Sequence, residues 1–361
     1  MANVFFRTSI APYRVDTYNA LHRILDCKMY FMDASDDSQD FKQDLIMSRC
    51  EFAPSILVKK KFLGLTYFKD IWKILMENDP DLVIVPEFKP ISIQVIAYKW
   101  FRKRKMKVIS MCDDSYEMVA GHKDFTLAHT LARKAVTPLV DNLLLVDDKV
   151  CRWYVERYGK GIWMPIIRDE RKELDLYRRA LTLSREYEAR FGLSGKRVLL
   201  YVGRLVEVKN LPCLIEAVRL SEETFTTVII GDGPLKEDLE RQAALTGKEI
   251  IFAGRYDDDE IRAWFNIGDI FVLPSTTEPF GAVTNEALLA GCYCLLSSAC
   301  GSTCLIDPSN GRTFDPQDPE KLAKLIDSSF AALPTEETRT GNRMNITFEQ
   351  AVEKVITQLK D

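Results

Sequence analysis

Short apolar segments of strand length alternate with longer segments of helical periodicity along the whole chain. This alternation is typical of parallel sheets whose strands are joined by crossover helices. It runs through two successive series, which predicts an α/β fold with two Rossmann-like domains. The predicted strands are residues 4–6, 82–85, 107–111 and 142–146 in the first series, and 197–202, 227–230, 250–252 and 270–273 in the second. The first series also contains predicted helices at residues 15–25 and 67–77.

The boundary between the two predicted domains falls near Pro165, before a charged helical stretch that runs to about Arg190. We therefore assign residues 1–165 to an N-terminal domain and residues 166–344 to a C-terminal domain. Residues 345–361 have the apolar spacing of an amphipathic helix. This helix could pack on either domain, including the N-terminal one.

Composition excludes several classes of protein. No stretch approaches the roughly 18 consecutive apolar residues that a membrane span requires, and the start of the chain lacks a signal-like pattern. These features predict a cytoplasmic location. The tightest cysteine group, Cys292, Cys294, Cys300 and Cys304, lacks the paired C-x2-C spacing of a zinc site. We therefore expect reduced thiols and no metal.

Residues 274–291 are the most informative segment, because they follow a predicted strand and open a predicted helix. Gly281 allows the backbone to approach a ligand, and the free N–H groups of the helix start suit a diphosphate. Glu286, about one turn into the helix, is placed to accept hydrogen bonds from a ribose diol. Glu278, in the preceding loop, can do the same for the hydroxyls of a transferred group.

A second loop, residues 203–210, supplies positive charge after the strand at 197–202. Arg204 and Lys209 would face the phosphates of such a ligand. Two fixed cations aimed at the charge that develops on a leaving phosphate stabilise a transition state directly. This arrangement would make a metal ion unnecessary.

These segments resemble the family 4 glycosyltransferases, whose E-x7-E motif is matched by Glu278 and Glu286. Further motifs follow in the family's usual order over about residues 195–320. They are Gly203-Arg204 with Lys209-Asn210, Ile230-Gly231-Asp232-Gly233-Pro234, Phe252-Ala253-Gly254-Arg255 and Leu273-Pro274-Ser275.

The resemblance implies a GT-B fold, in which two Rossmann-like domains face each other across a cleft. It also implies a retaining, metal-independent transferase that moves a sugar from a nucleotide diphosphate donor, such as a UDP-sugar, to a glycan or lipid-linked acceptor. The acceptor attacks on the front face, and the departing phosphate oxygen takes its proton. The catalytic candidates in the C-terminal domain are Arg204, Lys209 and Glu278. The donor-binding candidates are Gly203, Arg255, Glu278, Pro279, Phe280, Gly281, Ala282, Val283 and Glu286.

The N-terminal domain matches the family less well. The loop of residues 8–14 lacks the expected glycines, and no histidine follows the strand at 107–111, where many members have one that contacts the donor sugar. Asp113 or Asp114, at the carboxyl end of a strand that faces the ligand, is a candidate for that contact, and His122 is another. His129 is a weaker candidate because it lies in a predicted packed helix.

The segment from Lys99 to Lys107 contains six cations and two aromatic residues. One interpretation is a helix C-terminus rich in cations. The other, supported by the basic residues at 59–61, is peripheral contact with an anionic membrane. No motif for reading nucleic acid accompanies the charge, so we expect no nucleic-acid partner.

Three functions remain open from the sequence. The first is a retaining glycosyltransferase, with a role in surface polysaccharide synthesis suggested by family analogy alone. The second is an inverting GT-B enzyme or a sugar-nucleotide epimerase, which would require a base in the N-terminal domain. The third is a protein that binds a nucleotide-sugar without catalysis.

Overall fold

A computed structural model describes residues 2–33, 43–62, 65–121, 126–333 and 341–360. The chain divides into two compact units. The first contains residues 1–168 together with 350–361, and the second contains residues 169–349. The boundary after residue 168 lies close to the predicted domain boundary after residue 165.

The first unit is built around a parallel sheet in the order β3-β2-β1-β6-β7-β8-β9. A separate antiparallel hairpin consists of β4 and β5. The strands are β1 Asn3–Arg7, β2 Cys27–Phe31, β3 Ser55–Ile56, β4 Lys59–Phe62, β5 Leu65–Phe68, β6 Leu82–Pro86, β7 Lys107–Cys112, β8 Asn142–Leu145 and β9 Ile162–Trp163. The helices are α1 Val15–Leu25, α2 Gln43–Ser48, α3 Ile71–Asn78, α4 Pro90–Phe101, α5 Tyr116–Val119, α6 Leu127–Val136 and α7 Asp148–Tyr158.

Both faces of this sheet are buried, as expected of a parallel sheet covered by helices. Val4 and Phe6 of β1 enter one apolar cluster, whereas Phe5 enters the other. The same alternation continues in β6, where Val83 and Val85 pack opposite Ile84. The period of two along each strand therefore divides the core into two layers.

The second unit contains a parallel sheet in the order β12-β11-β10-β13-β14-β15. Its strands are β10 Val198–Val202, β11 Thr226–Ile230, β12 Ile250–Gly254, β13 Ile270–Leu273, β14 Tyr293–Ser297 and β15 Gly311–Phe314. Its helices are α8 Glu170–Arg179, α9 Leu181–Arg190, α10 Leu211–Leu220, α11 Lys236–Ala244, α12 Asp258–Ile267, α13 Val283–Ala290 and α14 Pro319–Ala332. The predicted α/β class with two Rossmann-like sheets is confirmed.

The final helix, α15 Phe348–Lys360, extends from the second unit into the first. Val355, Ile356 and Leu359 are buried in the same apolar layer as Phe5. None of the described helices has the length and apolar character needed to cross a bilayer.

One predicted helix is wrong at its start. Residues 67–77 were expected to be helical, but Tyr67 and Phe68 belong to β5, and α3 begins at Ile71. Phe68 pairs with Lys59 across the hairpin, and its backbone N–H and C=O both bond to the Gln94 side chain at 3.1 and 2.9 Å. These long-range partners stabilise an extended conformation that the local apolar spacing did not reveal.

Candidate functional site

The strand order of the second sheet brings two distant loops together. The chain reverses its direction of travel across the sheet between β10 and β13, and such switch points form crevices at the carboxyl edge. The loop after β10 contains Arg204 and Lys209, and the loop after β13 contains Glu278. Asn210 donates to the Pro274 carbonyl at 3.2 Å, and the Thr276 N–H donates to the Val208 carbonyl at 2.9 Å. The two loops are therefore directly bonded.

Lys209 and Glu278 form an ion pair where these loops meet. Their side chains are only 15% and 14% exposed. A carboxylate and an ammonium with this little access to water each depend on the other for charge compensation. The structure thus places a predicted catalytic cation directly against the predicted sugar-binding carboxylate.

Arg204 lies on the same loop, with its side chain exposed. The hydroxyl of buried Tyr201 donates to the Arg204 carbonyl at 3.0 Å. Burial raises the pKa of Tyr201, the negative charge of Glu278 raises it further, and the positive charge of Arg204 opposes this. Arg204, Glu278 and Tyr201 consequently share one electrostatic environment.

The backbone at Gly281 requires glycine. Its φ is +87°, and a Cβ there would lie 2.9 Å from Leu273 Cδ2 and 3.1 Å from Glu278 Cγ. The neighbouring loop fixes the same segment, because the Ser302 N–H donates to the Phe280 carbonyl at 2.7 Å. The turn that leads into helix α13 is thus held by both packing and hydrogen bonds.

The remaining donor-binding candidates differ in exposure. The Phe280 ring is buried at 2% exposure and packs inside the protein, whereas Pro279, Ala282 and Val283 are partly exposed. Glu286 is half-buried on the first turn of α13, where its backbone carbonyl accepts from the Tyr177 hydroxyl at 3.0 Å. These residues line the start of one helix at the switch point.

Gly203 and Arg255 lie on separate strand ends of the same sheet edge. The Gly203 N–H donates to the Ile230 carbonyl at 3.0 Å, which ties it to the end of β11. Arg255 follows β12, two strands from β10, and is 48% exposed with Asp257 3.8 Å away. At the usual spacing of strands, Arg255 therefore follows a strand about 10 Å from β10.

In the first unit, Asp113 follows β7 and is bound by two arginines. Arg7 and Arg14 both form ion pairs with its carboxylate, and Arg7 also donates to the Met111 carbonyl at 2.7 Å. Burial alone would raise the pKa of Asp113, but the charges of Arg14 and Arg7 outweigh it and hold that pKa below its usual value. Asp113 is therefore an ionised, firmly positioned carboxylate.

Beside it lies a cluster that was not predicted from the sequence. Potential ligand atoms of Glu87, Asp114 and His129 lie within 4.8 Å of one another in the described part of the chain. Asp114 accepts from the Tyr154 hydroxyl at 2.7 Å. Burial, with Asp113 and Asp114 nearby, raises the pKa of Glu87. Glu87 directly follows β6, so the carboxyl-edge rule that selected Asp113 would also have selected it.

The two histidine candidates have different outcomes. His122 lies outside the described residues. His129 lies on a helix, α6, as expected, but the expected packing of this stretch is wrong, because Leu127 and Leu131 are 75% and 58% exposed. The Nε2 of His129 is 3.9 Å from Asp114 Oδ1, and its ring contacts Phe88. The ring of His129 therefore faces the acidic cluster at the carboxyl edge of the first sheet.

Comparison with known families gives a match within the second unit. Residues 184–339 match the model of the Glycosyl transferases group 1 family. The matched residues contain the loops of Arg204, Lys209 and Glu278, together with helix α13.

Curated relatives match over part of the chain. The sulfoquinovosyl transferase SQD2 of Arabidopsis thaliana is 35% identical over 154 residues, covering 39% of this chain and 30% of the relative. The putative teichuronic acid biosynthesis glycosyltransferase TuaC of Bacillus subtilis is 31% identical over 142 residues, covering 39% of this chain and 35% of the relative. The matched segment thus spans about a third of the length of each relative.

The similarity of fold to solved structures extends beyond the residues that match the family model. The structure is similar to the crystal structure of Anabaena Alr3699/HepE in complex with UDP. The match covers 100% of this chain and 98% of the Anabaena chain, with a TM-score of 0.76 at 17% sequence identity. At this identity the likeness establishes the fold alone. The predicted GT-B fold class is confirmed.

Proposed function

We propose that the protein is a retaining glycosyltransferase that transfers a sugar from a UDP-sugar to a glycan or a lipid-linked acceptor. The observation that carries this proposal is the pairing of Lys209 with Glu278 at the switch point of a glycosyl transferases group 1 domain. A cation for the leaving phosphate and a carboxylate for the sugar hydroxyls are thereby placed side by side. UDP as the nucleotide is supported by the UDP complex of the Anabaena protein with the same fold.

In this proposal each residue has a defined task. Lys209 and Arg204 bind the diphosphate, where they stabilise the negative charge that grows as the bond to the anomeric carbon breaks. Glu278 accepts hydrogen bonds from hydroxyls of the donor sugar, and Glu286 accepts those of the ribose. Backbone N–H groups at the start of α13, from Gly281 to Val283, add the positive end of a helix dipole. Arg255 lies near the nucleotide base.

The diphosphate of the donor must compete with Glu278 for the ammonium group of Lys209, because these two side chains form an ion pair. A diphosphate carries more negative charge than a carboxylate and can draw the ammonium toward itself. Glu278 is then released from Lys209 and can accept sugar hydroxyls. Donor binding therefore exchanges the ion pair for contacts of Lys209 with phosphate and of Glu278 with the sugar, and the proposal requires no metal to neutralise the diphosphate.

The first unit provides the acceptor side and the contact with a membrane. Asp113, held by Arg7 and Arg14, binds a hydroxyl of the sugar or the acceptor. We place the reaction at the cytoplasmic face of an anionic membrane, reached through the segment from Lys99 to Lys107. Surface polysaccharide synthesis fits this location, and the putative role of TuaC in teichuronic acid biosynthesis supports it.

Calorimetry with UDP and UDP-sugars in EDTA tests the donor site. Wild-type protein should bind, whereas Arg204→Ala and Lys209→Ala should each weaken binding about 10- to 100-fold, because a hydrogen bond to a charged group contributes about 1.5–3 kcal/mol. Arg219→Ala is the matched control, since Arg219 is an exposed cation of the same unit paired with Glu216 on α10. Unchanged affinity in the first two variants would eliminate the phosphate assignment.

Assays of turnover separate the remaining functions. Slow hydrolysis of one UDP-sugar and transfer with retained anomeric configuration, followed by NMR, are expected. An inverted product would replace the retaining mechanism by an inverting one. Tight donor binding without hydrolysis or transfer to any of a panel of acceptors would favour a non-catalytic binding protein.

A further inference from the structure

Helix α4 of the first unit has apolar side chains on both sides. Ile91, Val95 and Ile96 are buried in the core. On the opposite side, Ile93 and Trp100 are 57% and 60% exposed. Together with Ala97 and Phe101 they occupy positions i, i+4, i+7 and i+8, which lie within about 100° of helix circumference.

This row, which we call the α4 stripe, consists of the exposed residues Ile93, Trp100 and Phe101 and the partly exposed Ala97. It extends for about 12 Å along the helix at 1.5 Å per residue. Phe101 is 78% exposed. A contiguous apolar row bordered by charge marks a surface that is covered by a partner or a membrane.

The cations next to the stripe fall into two groups. Lys99 donates to Asp141 at 2.6 Å, and Lys103 lies 2.7 Å from Asp79 and 3.4 Å from Asp81. These two lysines are therefore occupied within the first unit. They neutralise the acidic residues that would otherwise repel an anionic surface.

The second group consists of Arg102, Arg104 and Lys105, which are exposed and form no ion pair with any residue in the described ranges. All three closely follow Phe101 in the sequence. At the other border of the helix, the β4–β5 hairpin is bonded to α4 through Gln94 and carries the exposed cation Lys60. Exposed positive charge therefore follows the stripe in the chain and is also present on the hairpin bonded to α4.

We infer that the α4 stripe inserts into the interfacial layer of an anionic bilayer, while Arg102, Arg104 and Lys105 bind its lipid headgroups. Tryptophan and phenylalanine partition into the boundary between headgroups and acyl chains, and cations beside them add attraction to anionic lipid. Both are required here, because neither four apolar side chains nor three cations alone give strong binding. An acidic protein would satisfy the cations but leave Trp100 and Phe101 without an apolar environment.

The inference rests on one part of the proposed function, the contact with an anionic membrane, and makes that contact more specific. It does not depend on transferase activity. It narrows the contact within the segment from Lys99 to Lys107. Lys99 and Lys103 stabilise the unit internally, and Lys107 donates weakly to the Leu359 carbonyl at 3.4 Å. The binding surface is therefore the stripe and the three cations that follow it.

Flotation of the full chain with vesicles tests this inference. Vesicles of phosphatidylcholine with an equal part of phosphatidylglycerol should recruit the wild-type protein, and pure phosphatidylcholine should not. Each basic residue near an anionic surface adds about 1 kcal/mol, or about fivefold in the partition coefficient. Replacing Arg102, Arg104 and Lys105 by Gln should thus lower partitioning about 100-fold, and Trp100→Ser with Phe101→Ser should lower it at least about tenfold.

A matched control uses helix α6 of the same unit. Leu127 and Leu131 are 75% and 58% exposed and are followed by the exposed cation Lys134. Replacing these leucines by Ser and Lys134 by Gln should leave vesicle binding unchanged. The inference would be overturned if this control lost as much vesicle binding as the α4 variants, or if both vesicle types recruited the wild-type protein equally.

Fluorescence reports insertion separately from binding. All five tryptophans lie within the described ranges, and of these Trp100 is the exposed one. Anionic vesicles should shift the wild-type emission to the blue, and Trp100→Phe should bind vesicles while losing most of that shift. Absence of a shift in wild-type protein that floats with vesicles would overturn the insertion of the stripe.

UDP binding measured on the same variants separates this inference from the proposed transferase. Normal UDP binding with no vesicle recruitment would overturn the membrane contact and leave the donor site intact. Vesicle recruitment without any binding of UDP or UDP-sugars would overturn the proposed function and retain the contact.

Discussion

Gly231 shows how strongly a single residue can restrict the backbone of a neighbouring loop, here residues 203–210. Its φ is +145°, and a Cβ at this position would lie 1.9 Å from the Gly203 carbonyl oxygen. The Leu205 N–H also bonds to the Asp232 carbonyl at 2.9 Å. Residues 231–235 therefore pack and bond against the loop that carries Arg204 and support it, since the Leu235 N–H also donates to the Leu205 carbonyl at 3.2 Å.

We expect Gly231→Ala to displace the loop of Arg204, because a backbone oxygen cannot yield as a flexible side chain can. Affinity for UDP should fall at least about tenfold, since phosphate contacts depend on sub-ångström positioning. Calorimetry of the variant measures this effect.

Gly247→Ala is the matched control. Gly247 also has a positive φ, +68°, but a Cβ there would have no other atom within 4 Å. This variant should cost about 1–2 kcal/mol of stability from backbone strain alone and leave UDP affinity unchanged. Native affinity in Gly231→Ala would contradict the supporting role of this segment.

At the level of elements, helix α7 begins at an unusual cap. Asp147 is the N-cap, its Oδ1 accepts from the Lys149 N–H at 2.8 Å, and the residue is only 2% exposed. Burial raises the pKa of Asp147 to about 7, although the bond from Lys149 and its charge oppose the shift. The helix start thus contains a carboxyl group that holds its proton up to about neutral pH.

This cap predicts a pH dependence of stability. The pKa of Asp147 is higher in the folded protein than the value of about 3.9 expected for the unfolded chain. The folded state therefore binds the proton more tightly, and its stability should fall as the pH rises from about 4 to about 7. Asp147→Asn keeps the hydrogen-bond acceptor but does not titrate. Above pH 7 this variant should therefore be more stable than wild type by a few kcal/mol, and below about pH 4 the two proteins should be equally stable.

Amide hydrogen exchange of β8 and α7, compared for wild type and Asp147→Asn over this pH range, measures the difference. An NMR titration of the Asp147 carboxyl provides the midpoint independently. A difference in protection that does not change with pH would contradict the raised pKa.

At the scale of the whole molecule, the end of the chain completes the first unit. Leu359 is 5% exposed and packs in the apolar layer that also contains Phe5 and Ile84. Residues far apart in sequence thus stabilise one core. The chain leaves the first unit after residue 168 and returns to it at residue 350.

We expect Leu359→Ala to destabilise the first unit by about 2–5 kcal/mol, as large-to-small substitutions in a core do. Hydrogen exchange should accelerate in β1 and β6 and remain unchanged in the strands of the second unit. Gln358→Ala, at an exposed position of the same helix, should have little effect. Equal acceleration in both units would show that α15 does not stabilise the first unit selectively.

The amino-acid sequence by itself determined the two parallel sheets and the segment that carries several of the proposed donor-site residues. Buried strands such as β10 and β13 appear as uninterrupted apolar runs, and Glu278, Gly281 and Glu286 lie within one short segment. Such features are local, so they can be recognised without any knowledge of tertiary contacts. The extended start of β5 was missed because its stabilising partner, Gln94, is 26 residues from Phe68.

Only the tertiary structure decided which groups meet. It pairs Lys209 with Glu278, surrounds Asp113 with Arg7 and Arg14, and brings Glu87 to His129. It also separates the cations that are bound internally from those that remain available beside Trp100. These outcomes depend on strand order and helix packing, which join residues across long stretches of chain, and no local pattern encodes the distance between two such side chains.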